Sequence, residues 1–237
     1  MRRFVFESRD VRLEFVINEV VNEELQSFLW PCSLVMSCYL IQNINSFKQK
    51  KFLEIGAGVG LPSLVAGKIG AKKCIITDRA EEEKVILNIK RNITENLLDS
   101  VCSAYAINWG HNIVENLEEN MKEACDIDYL IGSDVFYTTE SFDEILLTYM
   151  ALLKLNPSLI FYTTYQQRSV NRSLLPYLDQ YNLQAILIPI PHFLNACHQD
   201  GSVRLMHSDS DGSPAMQAVD IQTFDDIYMI KIVPNVI

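Results

Sequence analysis

The residue types best suited to chemistry lie in one stretch, Lys51–Asp78, which reads KFLEIGAGVGLPSLVAGKIGAKKCIITD. Gly56, Gly58 and Gly60 alternate with Ala57 and Val59 behind a short apolar run, and the acid Glu54 stands two places ahead of the first glycine. Glycines at this density let a turn take left-handed backbone angles and bring main chain close to a ligand. An apolar segment from Leu61 to Ile69 follows, then a second apolar run that ends on Asp78. Strand, glycine turn, helix, strand and acid make a βαβ unit that binds a nucleotide, the acid accepting hydrogen bonds from the ribose hydroxyls. The dinucleotide pattern G-x-G-x-x-G is not met, because Leu61 occupies the place of its last glycine.

Three further groups belong beside this turn. Asn108-Trp109 follows the apolar run Val101–Ile107, and in an open α/β sheet ligands bind at the carboxyl ends of strands. There the Asn108 amide suits an adenine amine and the Trp109 ring suits the face of the base. Ser133-Asp134-Val135-Phe136-Tyr137 follows another apolar run, Ile127–Ile131, and sets an acid and a tyrosine facing the reactive end of a bound cofactor. Trp30, just ahead of Pro31 and an apolar helix, reads by pattern alone as a core anchor.

The elements that must hold these groups alternate in type. Residues 3–6 and 11–17 are strand-like around the turn Ser8-Arg9-Asp10, which predicts an N-terminal β-hairpin within residues 1–28. Pro31 suits a first helical turn running on to Ile41. Glu81–Glu95 carries Val85, Ile86, Ile89 and Ile93 at helical spacing. A polar helix is expected over Ile113–Ala124 and an amphipathic one over Ser141–Leu155, with Phe142, Ile145, Leu146, Tyr149 and Leu153 on one side. Leu159–Thr164, Gln184–Ile190 and Phe224–Val233 read as strands, with a short helix at Leu174–Tyr181. Residues 195–222, rich in Ser, Asp and Gly, show no sustained period and read as a long flexible loop. Successive βα steps closed by two strands joined through a loop predict a mostly parallel sheet with its last strand antiparallel.

Composition bounds the rest. The 237 residues fit one α/β domain, and 49% hydrophobic content supplies a substantial core. No apolar run approaches the roughly 18 residues of a membrane span, and Glu7, Arg9 and Asp10 interrupt any signal-peptide core, so no membrane association is expected. Six scattered cysteines without a C-x-x-C pair read as reduced thiols, and four histidines in no ligand-spaced cluster predict no metal. A net charge of −10 disfavours direct nucleic-acid binding and is compatible either with a basic partner or with acids that only solubilise the surface.

Taken together, Trp30-Pro31-Cys32, Glu54-Ile55-Gly56-Ala57-Gly58, Asn108-Trp109-Gly110 and Ser133-Asp134-Val135-Phe136-Tyr137 resemble, in that order, methyltransferase family 16 of the class I S-adenosylmethionine methyltransferases. Thr164-Tyr165-Gln166-Gln167-Arg168-Ser169 is similar to the exit of strand five in the methyltransferase-like 23 branch. The resemblance implies a single domain over residues 1–237, a Rossmann-like seven-stranded α/β sheet with helices on both faces, and S-adenosyl-L-methionine as cofactor. It implies Trp30, Glu54, Gly56, Gly58, Asp78, Asn108, Trp109 and Ser133 around that cofactor, and Asp134 and Tyr137 at the acceptor. It further implies a protein substrate, histone H3 or another basic protein; a monomer in cytoplasm and nucleus is expected. Arginine and lysine both stand as acceptors, since no paired-glutamate loop of the familiar arginine enzymes is found. A class I methyltransferase of small molecules or nucleic acid, and a silent binding module, remain the alternatives. The stretch SDVFY lacks the N/D-P-P-Y/F block of base amino-methylation.

Overall fold

The computed structural model describes residues 1–8, 10–21, 26–79, 83–110, 113–115, 126–168, 173–190, 204–209, 217–218 and 226–235. In chain order these form β1 (Arg2–Glu7), β2 (Arg12–Ile17), β3 (Val20–Val21), β4 (Gln26–Ser27), α1 (Pro31–Gln42), α2 (Ile44–Phe47), β5 (Lys51–Glu54), α3 (Leu61–Lys68), β6 (Lys73–Asp78) and α4 (Glu83–Glu95). Then follow β7 (Cys102–Ala106), β8 (Tyr129–Ser133), α5 (Phe142–Leu155), β9 (Ile160–Gln166), α6 (Leu175–Gln180), β10 (Leu183–Ile188), β11 (Arg204–Asp209), β12 (Gln217–Ala218) and β13 (Ile227–Pro234). Beyond residue 115, the helix expected over Ile113–Ala124 lies outside the described residues.

Seven strands form one sheet in the order β10-β13-β9-β8-β5-β6-β7. Strands β9, β8, β5, β6 and β7 run parallel, and β13 is antiparallel to both of its neighbours. The central strands are unbroken apolar runs because both of their faces are covered. Phe52, Ile76, Ile131 and Tyr162 point to one layer, shared with α1, α3 and α4. Their neighbours Leu53, Ile75, Leu130 and Phe161 point to the other, shared with α5 and α6. The stripe expected on α5 is buried there, and the fully buried Tyr149 shares its single O–H between the carbonyls of Leu159 at 3.0 Å and Ile232 at 3.1 Å.

From β5 the chain moves outward through β6 and β7, then crosses to the other side of β5 for β8. The crevice above β5 and β8 is therefore the topological switch point, where open α/β sheets bind ligands. Every candidate group except Trp30 lies at or just past the carboxyl end of β5, β6, β7 or β8.

The N-terminal hairpin forms as expected, β1 pairing antiparallel with β2. Its apolar face, Phe4, Phe6, Phe15 and Ile17, joins the layer of α3 and α4. The loop expected over residues 195–222 needs correcting. Arg204–Asp209 is a strand on the free edge of β1, in register from Arg2 opposite Asp209 to Glu7 opposite Arg204, and Gln217–Ala218 pairs beyond it. Its polar sequence carries no alternation of its own, and pairing with a distant edge supplies the order.

Candidate active site

The glycine turn is built by backbone geometry. Gly56, Gly58 and Gly60 have φ of 58°, 57° and 78°, in the left-handed region. A Cβ on Gly56 would stand 3.0 Å from both Trp109 Cζ2 and Val135 Cγ1, so only glycine fits where this turn meets the loops after β7 and β8. Above Gly58 a Cβ would meet nothing within 4 Å. The Gly58 N–H donates to Asp78 Oδ2 at 2.7 Å and the Arg79 N–H to Asp78 Oδ1 at 2.8 Å, locking the tip of β6 to the turn. Burial raises the Asp78 carboxyl, and the two backbone donors oppose that shift. Each oxygen retains a lone pair for a further donor.

Glu54, at the end of β5, is 1% exposed. Its Oε2 accepts the Ser63 N–H at 3.1 Å, and its Oε1 is buried without a hydrogen-bond partner among the described residues. Burial pushes its carboxyl up to about 8, the proximity of Ser63 and its N–H bond pulling the other way and the charge of Asp78 adding to the rise. Trp109 Nε1 and Ser133 Oγ are likewise buried and unpartnered among the described residues. Asn108 lies exposed just past β7.

On the far side of the crevice, Asp134 follows β8 with φ 59°, a conformation Asp tolerates better than most side chains. Its N–H donates to Thr164 O at 2.8 Å and its side chain is buried. Arg168 grips that carboxylate in a two-pronged pair, Nη1 to Oδ1 at 2.8 Å and Nη2 to Oδ2. Trp30 is not core: it is 37% exposed, packed on Phe28 with ring centroids 4.2 Å apart and planes tilted by 32°, and its ring centre is 5.9 Å from the Arg168 guanidinium carbon. Pro31 at the first position of α1 sets Trp30 at the cap, which turns its ring out of the layer beneath. Tyr137 accepts a hydrogen bond from Arg79 Nη2, and the Arg79 guanidinium carbon lies 5.9 Å from the rings of both Trp109 and Tyr137.

The candidates therefore gather in two neighbouring groups. Glu54, Gly56, Gly58, Asp78 and Trp109 line the glycine turn, while Asp134 and Trp30 meet through Arg168. Val135 touches the turn, and Arg79 bridges Trp109 to Tyr137. Sequence reasoning gave no role to Arg79, directly after β6, or to Arg168, two residues past β9, although both strand ends had been singled out. It also missed Asn92 of α4, fully buried, whose amide donates to Val59 O in the glycine turn and to Asn18 O, both at 3.1 Å.

A strand-end acid, a glycine cradle and buried polar atoms without partners fit a nucleoside joined to an amino acid. Asp78 suits the ribose hydroxyls, Trp109 the base, and Glu54 with Gly56 and Gly58 the amino-acid end. Fold and cradle together define a class I S-adenosylmethionine-dependent methyltransferase. A profile described as lysine methyltransferase matches residues 10–180, and the chain belongs to that family. It is 34% identical over 182 residues to the histone-arginine methyltransferase METTL23 of Xenopus laevis, covering 77% of this chain and 75% of that one. It is 30% identical over 124 residues to the protein N-lysine methyltransferase METTL21A of Xenopus tropicalis, covering 52% and 54%. Among solved structures, the METTL16 methyltransferase domain superposes with a TM-score of 0.57 at 9% identity, over 92% of this chain and 73% of that one, a likeness of fold alone. The chain is thus an S-adenosylmethionine-dependent protein methyltransferase of the METTL23 branch.

Proposed function

We propose that this methyltransferase modifies a side-chain nitrogen of arginine in a basic protein, histone H3 foremost, and that it works as a monomer in nucleus and cytoplasm. The observation that carries the acceptor assignment is Asp134, a buried side chain whose two carboxylate oxygens are both turned to a planar, forked donor. A guanidinium matches that geometry with two parallel N–H bonds, whereas an ammonium offers a single point charge. The METTL23 relatives are named for the same acceptor. The net charge of −10 adds a long-range attraction for a histone tail.

S-adenosylmethionine supplies an electrophilic methyl group on a sulfonium. The chain's own work is alignment and desolvation of the nucleophile. Asp134, fixed through its backbone to β9, holds the guanidinium plane and receives the proton that the methylated nitrogen sheds. Tyr137, held by Arg79, walls the crevice on the side of Trp109. Glu54, Asp78 and Trp109 bind and orient the cofactor.

The test uses two peptides identical but for arginine or lysine at the acceptor position, each incubated with purified protein and S-adenosylmethionine and read by mass spectrometry. Methylation of the arginine peptide is expected. Methylation of the lysine peptide alone would move the chain to the chemistry for which its family is described. Methylation of neither, nor of any other protein, would overturn the reading.

A further inference from the structure

In this structure, the carboxylate proposed to hold the acceptor already holds a guanidinium, that of Arg168. Both Asp134 oxygens are engaged by the two terminal nitrogens of Arg168, and the Gln166 N–H adds a contact to Oδ1 at 3.4 Å. The guanidinium carbon stands 5.9 Å from the centre of the Trp30 ring, itself backed by Phe28. A forked pair with a buried carboxylate beside an aromatic face is the chemistry by which a protein recognises a substrate arginine.

Two features distinguish this arrangement from a permanent structural ion pair. Asp134 does not depend on Arg168 for its position, because its main chain is tied to β9 by the bond to Thr164 O and its carboxylate accepts from Gln166 N as well. The pair is also asymmetric: the Asp134 side chain is 7% exposed and that of Arg168 33%. The acid belongs to the floor of the site, while the arginine reaches in from the surface, two residues past the end of β9.

We infer that Arg168 is an internal stand-in for the acceptor: its guanidinium occupies the Asp134–Trp30 cradle until a substrate arginine displaces it. The inference rests on the arginine reading above. Arg168 then sets the threshold for substrate entry, since any acceptor must replace its two-pronged bond to reach Asp134. An ammonium cannot reproduce that fork and displaces it poorly. If the latch is closed in about nine molecules of ten, it weakens apparent acceptor affinity about tenfold.

The experiment is calorimetric titration of the whole protein, saturated with S-adenosylhomocysteine so that no turnover occurs, with a short basic peptide carrying one arginine and with its lysine counterpart. Arg168→Met should bind the arginine peptide about tenfold more tightly than wild type, and a lysine peptide that uses the same carboxylate should gain by the same factor, leaving the preference for arginine unchanged. Arg168→Lys keeps the charge beside Asp134 but loses the fork, and should fall between the two. It carries the test alone if thermal melting shows the Met variant unfolded. In steady state the gain should appear in KM for the peptide, with kcat and S-adenosylmethionine affinity little changed. Unchanged or weaker arginine-peptide binding in the folded variants, or a fall in kcat at constant KM, would overturn the proposal and make Arg168 a positioning residue for Asp134. If wild type methylates arginine yet no variant binds it more tightly, the stand-in alone fails. If wild type binds and methylates only lysine, the arginine reading fails and this inference with it.

Discussion

Replacing Glu54 by glutamine isolates the consequence of burying a carboxyl beneath the glycine turn. Glu54 is 1% exposed, and burial moves its carboxyl from 4.5 to about 8. The folded state then holds the proton more tightly than the unfolded chain. This contribution to stability is complete below about pH 4.5 and is lost as pH rises towards about 8. At about 1.4 kcal/mol per unit, the loss between about pH 5.5 and about pH 8 amounts to roughly 3 kcal/mol. Glutamine can accept the same Ser63 N–H and presents an amide where the protonated acid presents its O–H, and it does not titrate. The stability of Glu54→Gln relative to wild type should therefore rise by roughly 3 kcal/mol over that pH range, a shift in Tm on the order of 6–12 °C for a chain of this size. Urea denaturation and thermal melting of the cofactor-free protein at both pH values measure it. Parallel pH profiles for the two proteins would refute the argument, since they would mean that the carboxyl titrates alike in folded and unfolded states.

Gly56→Ala should destabilise the fold and abolish cofactor binding, because its Cβ meets Trp109 and Val135 at 3.0 Å. Gly58→Ala meets nothing within 4 Å and should cost only about 1–2 kcal/mol through its left-handed backbone. Calorimetry should nonetheless find a much larger loss of S-adenosylmethionine affinity in Gly58→Ala, and wild-type affinity there would contradict the placement of the cofactor over the turn. Asp134→Ala should abolish methyl transfer while leaving cofactor affinity within about fivefold, or about 1 kcal/mol. A collapse of affinity would move Asp134 to the cofactor. Asn92→Ala strands the buried partners at Asn18 and Val59 and should cost about 2–3 kcal/mol in urea denaturation, with weaker cofactor binding because Val59 lies in the glycine turn. A cost within about 0.5 kcal/mol would show that the N-terminal hairpin is not coupled to the turn.

The features legible in the sequence are those written locally. The glycine turn needs only its own backbone angles, and the stripe on α5 is periodic over its own length. Trp109 and Asp134 each follow an apolar strand, so the topology alone sends them to the crevice. What could not be read depends on partners far along the chain. Arg168 meets Asp134 across 34 positions, and Asn92 meets Asn18 across 74. The strand Arg204–Asp209 exists because β1 offers an unpaired edge nearly the whole chain away. Trp30 misleads for a different reason: its apolar neighbours suggest burial, while its place at the cap of a helix opened by Pro31 turns it outward beside Arg168.

The central claim is transfer of a methyl group from S-adenosylmethionine to protein arginine. Its most direct test is incubation of the purified protein with purified core histones and tritium-labelled cofactor, followed by acid hydrolysis of the labelled band and amino-acid analysis. Label in methyl-arginine of histone H3 is the expected result. Label in methyl-lysine, or no label while cofactor binding persists, would contradict it.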